Sequence, residues 1–262
     1  FASCTGVVVA GIDKETGEHK LYLTKPGTFQ IGKYKFENVR SIADKPVATL
    51  KQDEKGIKII SLTFETTKPI DNLDLLGTKI DTKEGSKIAF DSKEDKITIK
   101  DVKEARFEGK KLRGSGEIRS KSILLTTAGS SFIDKDVIVE STEKETEILL
   151  NEKDYAESKS KNKVLVQTSY RIDEKTGSKI EVTNVKLSGN VKFNNFEVLG
   201  GKNDETEFVI EKDKGTVEFK GTPDIWRDDI PIVLNGKLIS DPMDLKMLAD
   251  SRSDKDLIIK TP

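Results

Sequence analysis

Residues 173–193 read Asp173-Glu174-Lys175-Thr176-Gly177-Ser178-Lys179-Ile180-Glu181-Val182-Thr183-Asn184-Val185-Lys186-Leu187-Ser188-Gly189-Asn190-Val191-Lys192-Phe193. A polar turn opens the stretch. Ile180 and Val182, then Val185, Leu187, Val191 and Phe193, alternate with polar residues, and Gly189-Asn190 interrupts the run. Period-2 alternation is the signature of strands with one apolar and one wet face. A short irregular step inside such a run predicts a bulge or tight turn, where Gly and Asn are tolerated best.

The same phrase recurs outward along the chain. Asp173-Glu174-Lys175-Thr176-Gly177 is nearly a copy of Asp13-Lys14-Glu15-Thr16-Gly17. Short apolar runs follow at Leu21–Leu23, Phe29–Ile31, 47–50, 57–64, Ile88–Phe90 and Ile97–Ile99. Further runs are 123–126, 137–139, 164–167, 180–198, 207–210 and 217–219. Turn signals recur every ~8–12 residues, the spacing of sandwiches and barrels. The long helical runs that an α/β alternation needs are missing, so the fold class is all-β with little helix. Gly109 to Gly116 reads as a turn region. Residues 143–160 fit either one helical face through Ile148, Leu149, Tyr155 and Ala156 or two strands joined by a charged turn. Asp241-Pro242-Met243-Asp244 reads as a helix start, with Asp as cap and Pro at the first position. The pattern loosens around 68–77, which places a seam there: an N-terminal β section over 1–70 behind a tethering segment, then a larger β domain over 71–262, or one continuous β domain.

The chain has 262 residues, 35% of them charged and only 6% aromatic, and its hydrophobic share is 34%. That share suffices for strands with one buried face. Lys plus Arg (45) and Asp plus Glu (46) nearly cancel, and the signs are interspersed. No basic stripe therefore points to nucleic acid. No apolar run approaches the ~18–20 residues of a membrane-spanning helix.

Catalytic chemistry is not legible. His19, the only histidine, lies in the polar turn Gly17-Glu18-His19-Lys20, and Cys4 is the only cysteine. Zinc and non-haem iron sites generally take more than one imidazole or thiolate, so no metal is expected. Gly114-Ser115-Gly116 lacks the third glycine and the following helix of a phosphate loop, and signals a turn. Trp226 stands alone, without the further aromatics of a sugar site. The expectation is no enzyme and no cofactor.

Two resemblances add to this reading. Ala2-Ser3-Cys4 resembles the end of a bacterial lipoprotein signal, which implies acylation at Cys4, a chain trimmed of its leader and a membrane anchor. The other reading is an incidental terminal thiol. Leu187-Ser188-Gly189-Asn190-Val191, then Val217-Glu218-Phe219-Lys220-Gly221-Thr222-Pro223, then Trp226-Arg227-Asp228-Asp229 and Leu234-Asn235-Gly236 resemble the strand phrases of the periplasmic lipopolysaccharide-transport family (OstA/LptC-like). The likeness is clearest over 172–245, with fainter echoes at 79–140.

That resemblance implies an open, V-shaped β-jellyroll of stacked antiparallel strands with lipid acyl chains between its sheets. The residues expected to line such a trough are Ile97, Ile99, Ile180, Val182, Leu187, Val191, Phe193, Val217 and Phe219. Alternatively they fill a closed core. The implied function is an envelope lipoprotein of the periplasm that shields the acyl chains of lipopolysaccharide-like lipids and helps to move them. Its implied partners are that lipid, the membrane through the anchor, and similar jellyroll proteins through edge-strand pairing. A second reading is a surface-exposed β-rich lipoprotein that binds host or matrix protein without a lipid cavity, and a third is a structural spacer.

Overall fold

The computed structural model describes residues 2–5, 8–54, 56–75, 77–107, 110–120, 123–126, 129–132, 137–142, 147–149, 155–158, 164–187, 190–193, 196–199, 206–211, 216–240 and 258–260. These residues are all-β, with no helix among them, and no sheet closes into a barrel. The chain divides into two compact units, Phe1–Asp134 and Lys135–Pro262. The loosened stretch 68–77 therefore lies inside the first unit.

The first unit carries β1 (Ala2–Thr5), β2 (Val8–Ile12), β3 (His19–Leu23), β4 (Gly27–Ile31), β5 (Tyr34–Arg40), β6 (Ala48–Asp53), β7 (Gly56–Thr66), β8 (Leu73–Leu75), β9 (Thr78–Asp91), β10 (Lys96–Phe107), β11 (Lys110–Ser120), β12 (Ile123–Thr126) and β13 (Gly129–Phe132). The second carries β14 (Val137–Ser141), β15 (Glu147–Leu149), β16 (Tyr155–Ser158), β17 (Val164–Ile172), β18 (Lys179–Leu187), β19 (Asn190–Phe193), β20 (Phe196–Leu199), β21 (Thr206–Glu211), β22 (Thr216–Lys220), β23 (Asp224–Arg227), β24 (Ile230–Leu234), β25 (Lys237–Leu238) and β26 (Ile258–Lys260). Within the ambiguous 143–160 region the described residues are strands, β15 and β16, which pair as Ile148↔Ala156. The expected helix at 241–248 falls outside the described residues.

Both units use one pairing plan. In the first, β2 pairs β3, β3 pairs β6 and β6 pairs β7, while β1 pairs β4, β4 pairs β5 and β5 pairs the end of β7. In the second, β17 pairs β18, β18 pairs β21 and β21 pairs β22, while β16 pairs β19, β19 pairs β20 and β20 pairs β23. Successive hairpins therefore alternate between two ladders in both units, although in the first unit both ladders end on β7, and in the second they end on β22 and β23. The Gly189-Asn190 interruption sits at such a change of ladder: β18 ends at Leu187, β19 begins at Asn190, and they take different partners.

In the first unit the ladder through β7 continues into β9, β10 and β11. These three long strands change direction at one level. Gly85, Asp101 and Gly114 have φ of 84°, 54° and 104°, and the registers slip between Ile99 and Val102. A bend frees backbone groups that must be satisfied when buried. Buried hydroxyls do so. Ser86 Oγ donates to the Asp101 carbonyl at 2.6 Å and Thr66 Oγ1 to the Lys83 carbonyl at 2.6 Å. Ser115 Oγ accepts from the Asp101 amide at 2.9 Å. Gly114-Ser115-Gly116 is accordingly a bend inside β11, and the turn expected there is not the end of a strand.

The first unit's core is filled by its own side chains. Phe64 of one ladder meets Phe29 and Phe36 of the other, with ring centroids 6.1 and 5.1 Å apart, and Phe29 stacks on Phe36 at 4.7 Å. Ile31, Ile59, Leu62, Leu75, Ile80, Ile88 and Phe90 are buried around them.

Candidate functional site

The nine residues expected to line an apolar trough separate into three groups. Ile97 and Ile99, on β10, are fully buried in the closed core of the first unit. Neither borders a described groove. Only their polar neighbours Lys96 and Thr98 do, on the opposite face of the strand.

The other seven lie in the second unit, on β18, β19 and β22. Their side chains are outside the described residues, but the strand registers place them in rows. Directly opposed residues on neighbouring antiparallel strands share a face. One row in the first ladder runs Val139, Val166, Val185, Phe208 and Phe219. Its member Val139 is buried, which marks this as the inner face. Val217 and Leu187 have the same parity as Phe219 and Val185 and belong to that face. In the second ladder one row runs Ser158, Val191, Val198, Ile225 and Val233, and another runs Ile148, Ala156, Phe193, Phe196 and Arg227. Ile148, Ile225 and Val233, which share these rows, are buried.

Ile180 and Val182 do not join them. β18 pairs with β17 from Lys179 to Leu187 with no slip in register. The spacing of three between Val182 and Val185 therefore moves Ile180 and Val182 to the opposite face from Leu187. A single register slip would have reversed this, because the side-chain period is two.

Cys4 lies within β1, opposite Phe29 in the ladder. His19 is exposed at the start of β3, opposite Ile12. Trp226 sits in β23 opposite Glu197, next to the Asp228-Asp229 turn.

Among the described residues, charged side chains of the first unit form one cluster. Arg106 on β10 donates from both guanidinium nitrogens to Asp81 and from Nη1 to Glu104 at 3.0 Å, and Arg113 Nε donates to Glu104 at 2.9 Å. The Arg106 hydrogen bonds hold Asp81 below the usual carboxylate range. Burial raises Glu104, but the bonds from Arg106 and Arg113 outweigh it, and Glu104 is also lowered. This cluster is self-compensated, with each charge paired, and therefore serves as a brace across β9, β10 and β11. Among the described residues no three His, Cys, Asp or Glu side chains converge on a possible metal position, and no helix is long and apolar enough to cross a membrane.

Sequence reasoning missed the buried hydroxyls Thr66, Ser86 and Ser115. The signal was present, since Gly85-Ser86 and Gly114-Ser115 set a residue free to take positive φ beside a short hydroxyl. Comparison with protein families, characterised proteins and solved structures finds no match to this chain.

Proposed function

We propose that the protein is a non-catalytic lipoprotein of the bacterial envelope whose second unit shelters acyl chains between the inner faces of its two ladders. The observation that supports this is the row structure. Leu187, Val217 and Phe219 on one ladder, and Val191 and Phe193 on the other, fall on faces marked as inner by buried neighbours. Burying acyl methylenes contributes about 0.8 kcal/mol each and needs an aliphatic surface, not a catalytic constellation. The alternation of hairpins between two ladders is compatible with the stacked jellyroll implied by the Leu187–Val191 and Val217–Pro223 phrases. Cys4 would supply the anchor. The first unit, closed by Phe29, Phe36 and Phe64, would act as a filled copy of the same plan.

Edge pairing fits the same reading. Among the described residues β2 pairs only with β3, whereas its counterpart β17 carries β14 on its other side. An unpaired edge of this kind accepts a strand from a similar jellyroll.

The experiment is native mass spectrometry of the protein purified from a Gram-negative envelope, with Leu187→Asp and Phe219→Asp as variants. Co-purifying lipopolysaccharide-like lipid, lost in folded variants, supports the proposal. A lipid-free wild type contradicts it. The closed core of the first unit favours the second reading, a surface lipoprotein that binds protein without a cavity. That reading predicts cleavage of the folded protein by protease added to intact cells.

A further inference from the structure

The two units differ beside β5, and the difference leaves a groove. In the second unit β23 covers all of β20, with Phe196↔Arg227, Glu197↔Trp226, Val198↔Ile225 and Leu199↔Asp224. By the two-residue turns that precede them, Tyr34–Glu37 of β5 are the counterparts of Phe196–Leu199. In the first unit β7 reaches only Val39 and Arg40 of β5. Among the described residues no strand is paired to Lys35, Phe36 and Glu37 on that side. β8, which turns into β9 as β23 turns into β24, does not pair with β5. Between them lies a groove of about 530 Å³. Lys33, Lys35 and Glu37 form one wall, and Ile70, Asp71 and Asp74 belong to the other.

We propose that this groove binds an extended segment of a partner polypeptide, which adds to β5 as an antiparallel strand in the place that β23 takes on β20. Three features of this edge define the occupant. The strand edge at Lys35–Glu37 supplies backbone hydrogen bonds, the basis of strand addition. Phe36 is fully buried on the inner side, as Ile225 is at the matching rung, so the partner residue opposite Phe36 is apolar. Lys35 and Glu37 are exposed on the outer side and pair with each other. Opposite charges directly across a strand pair stabilise it. An antiparallel partner therefore carries a basic residue opposite Glu37, an apolar one opposite Phe36 and an acidic one opposite Lys35, in that order from its N-terminus. This inference does not depend on the lipid reading.

The test uses the full chain and two capped synthetic peptides, one with Lys-Ile-Glu-Val between threonines and one with Glu-Ile-Lys-Val. Titration followed by amide hydrogen exchange should show saturable binding of the first, with protection at Lys35–Glu37. Two surface charge pairs set its preference over the second at about tenfold. The double variant Lys35→Glu with Glu37→Lys keeps composition and burial, and should invert that preference. Binding of neither peptide, protection elsewhere, or a preference that survives the charge exchange would each overturn the proposal.

Discussion

Asp13 and Asp173 occupy the same position in two copies of one turn, 160 residues apart. Asp13 Oδ1 accepts from the amides of Glu15 and Thr16 at 3.0 and 3.2 Å, and Asp173 Oδ1 from those of Lys175 and Thr176 at 2.8 and 3.1 Å. Each aspartate carbonyl then receives the amide of Gly17 or Gly177 at 2.8 Å. The first turn joins β2 to β3 and the second joins β17 to β18, strands with equivalent partners in the two units. Ile12 and Ile172, which precede the two turns, are both exposed. A repeated sequence phrase thus marks a repeated place in the topology.

Gly17 and Gly177 have φ of 68° and 66°, the left-handed region that costs a side chain about 1–2 kcal/mol. Gly17→Ala and Gly177→Ala should each destabilise by roughly 1 kcal/mol, since nothing within 4 Å would meet the added Cβ and only the backbone cost remains. Urea denaturation of the two variants checks this, with similar losses expected from both.

At the bend in β9–β11, Ser86→Ala would leave the Asp101 carbonyl without its 2.6 Å donor, the buried Ser86 hydroxyl. Leaving a buried acceptor unsatisfied costs about 1–3 kcal/mol. The loss should appear as a lower denaturation midpoint with an unchanged slope.

Phe64 bridges the two ladders of the first unit, in contact with Phe29 and Phe36. Phe64→Ala should cost about 3–5 kcal/mol by transfer and cavity formation. Ile99→Ala should cost about 2–5 kcal/mol for the same reason. Neither should change the amount of lipid bound per folded molecule, measured by native mass spectrometry.

Asp81 and Glu104 are held below their ordinary pKa by Arg106 and its neighbours. A lowered folded pKa stabilises above the unfolded value and loses that contribution as pH falls through the folded one. Wild-type stability should therefore drop as pH falls below about 4. Arg106→Gln removes the shared cation, so its stability should vary less with pH across this window. Denaturation midpoints at successive acidic pH values decide it.

Much of the architecture was legible because alternation reports buried faces directly. Ile97-Thr98-Ile99 and Val217-Glu218-Phe219 each read as one-sided strands and are so paired. Whether an inner face is filled depends on residues far apart in sequence. Phe29, Phe36 and Phe64 close the first unit only because two ladders bring them together. Ile180 and Val182 have the opposite parity to Leu187 on β18. The stretch 179–187 contains both phases, and a partner strand selects which one faces inward. The groove beside β5 had no local signal, because it arises from where β8 runs rather than from what it contains.

The central claim is that acyl chains lie between the inner faces of the second unit and not in the first. Photo-crosslinking in living cells, with p-benzoylphenylalanine replacing Val191, Phe219 or Ile99 in turn, reads this most directly. Lipid adducts at positions 191 and 219, with none at 99, are the predicted result. Folded proteins that give no lipid adduct at 191 and 219 would contradict the account.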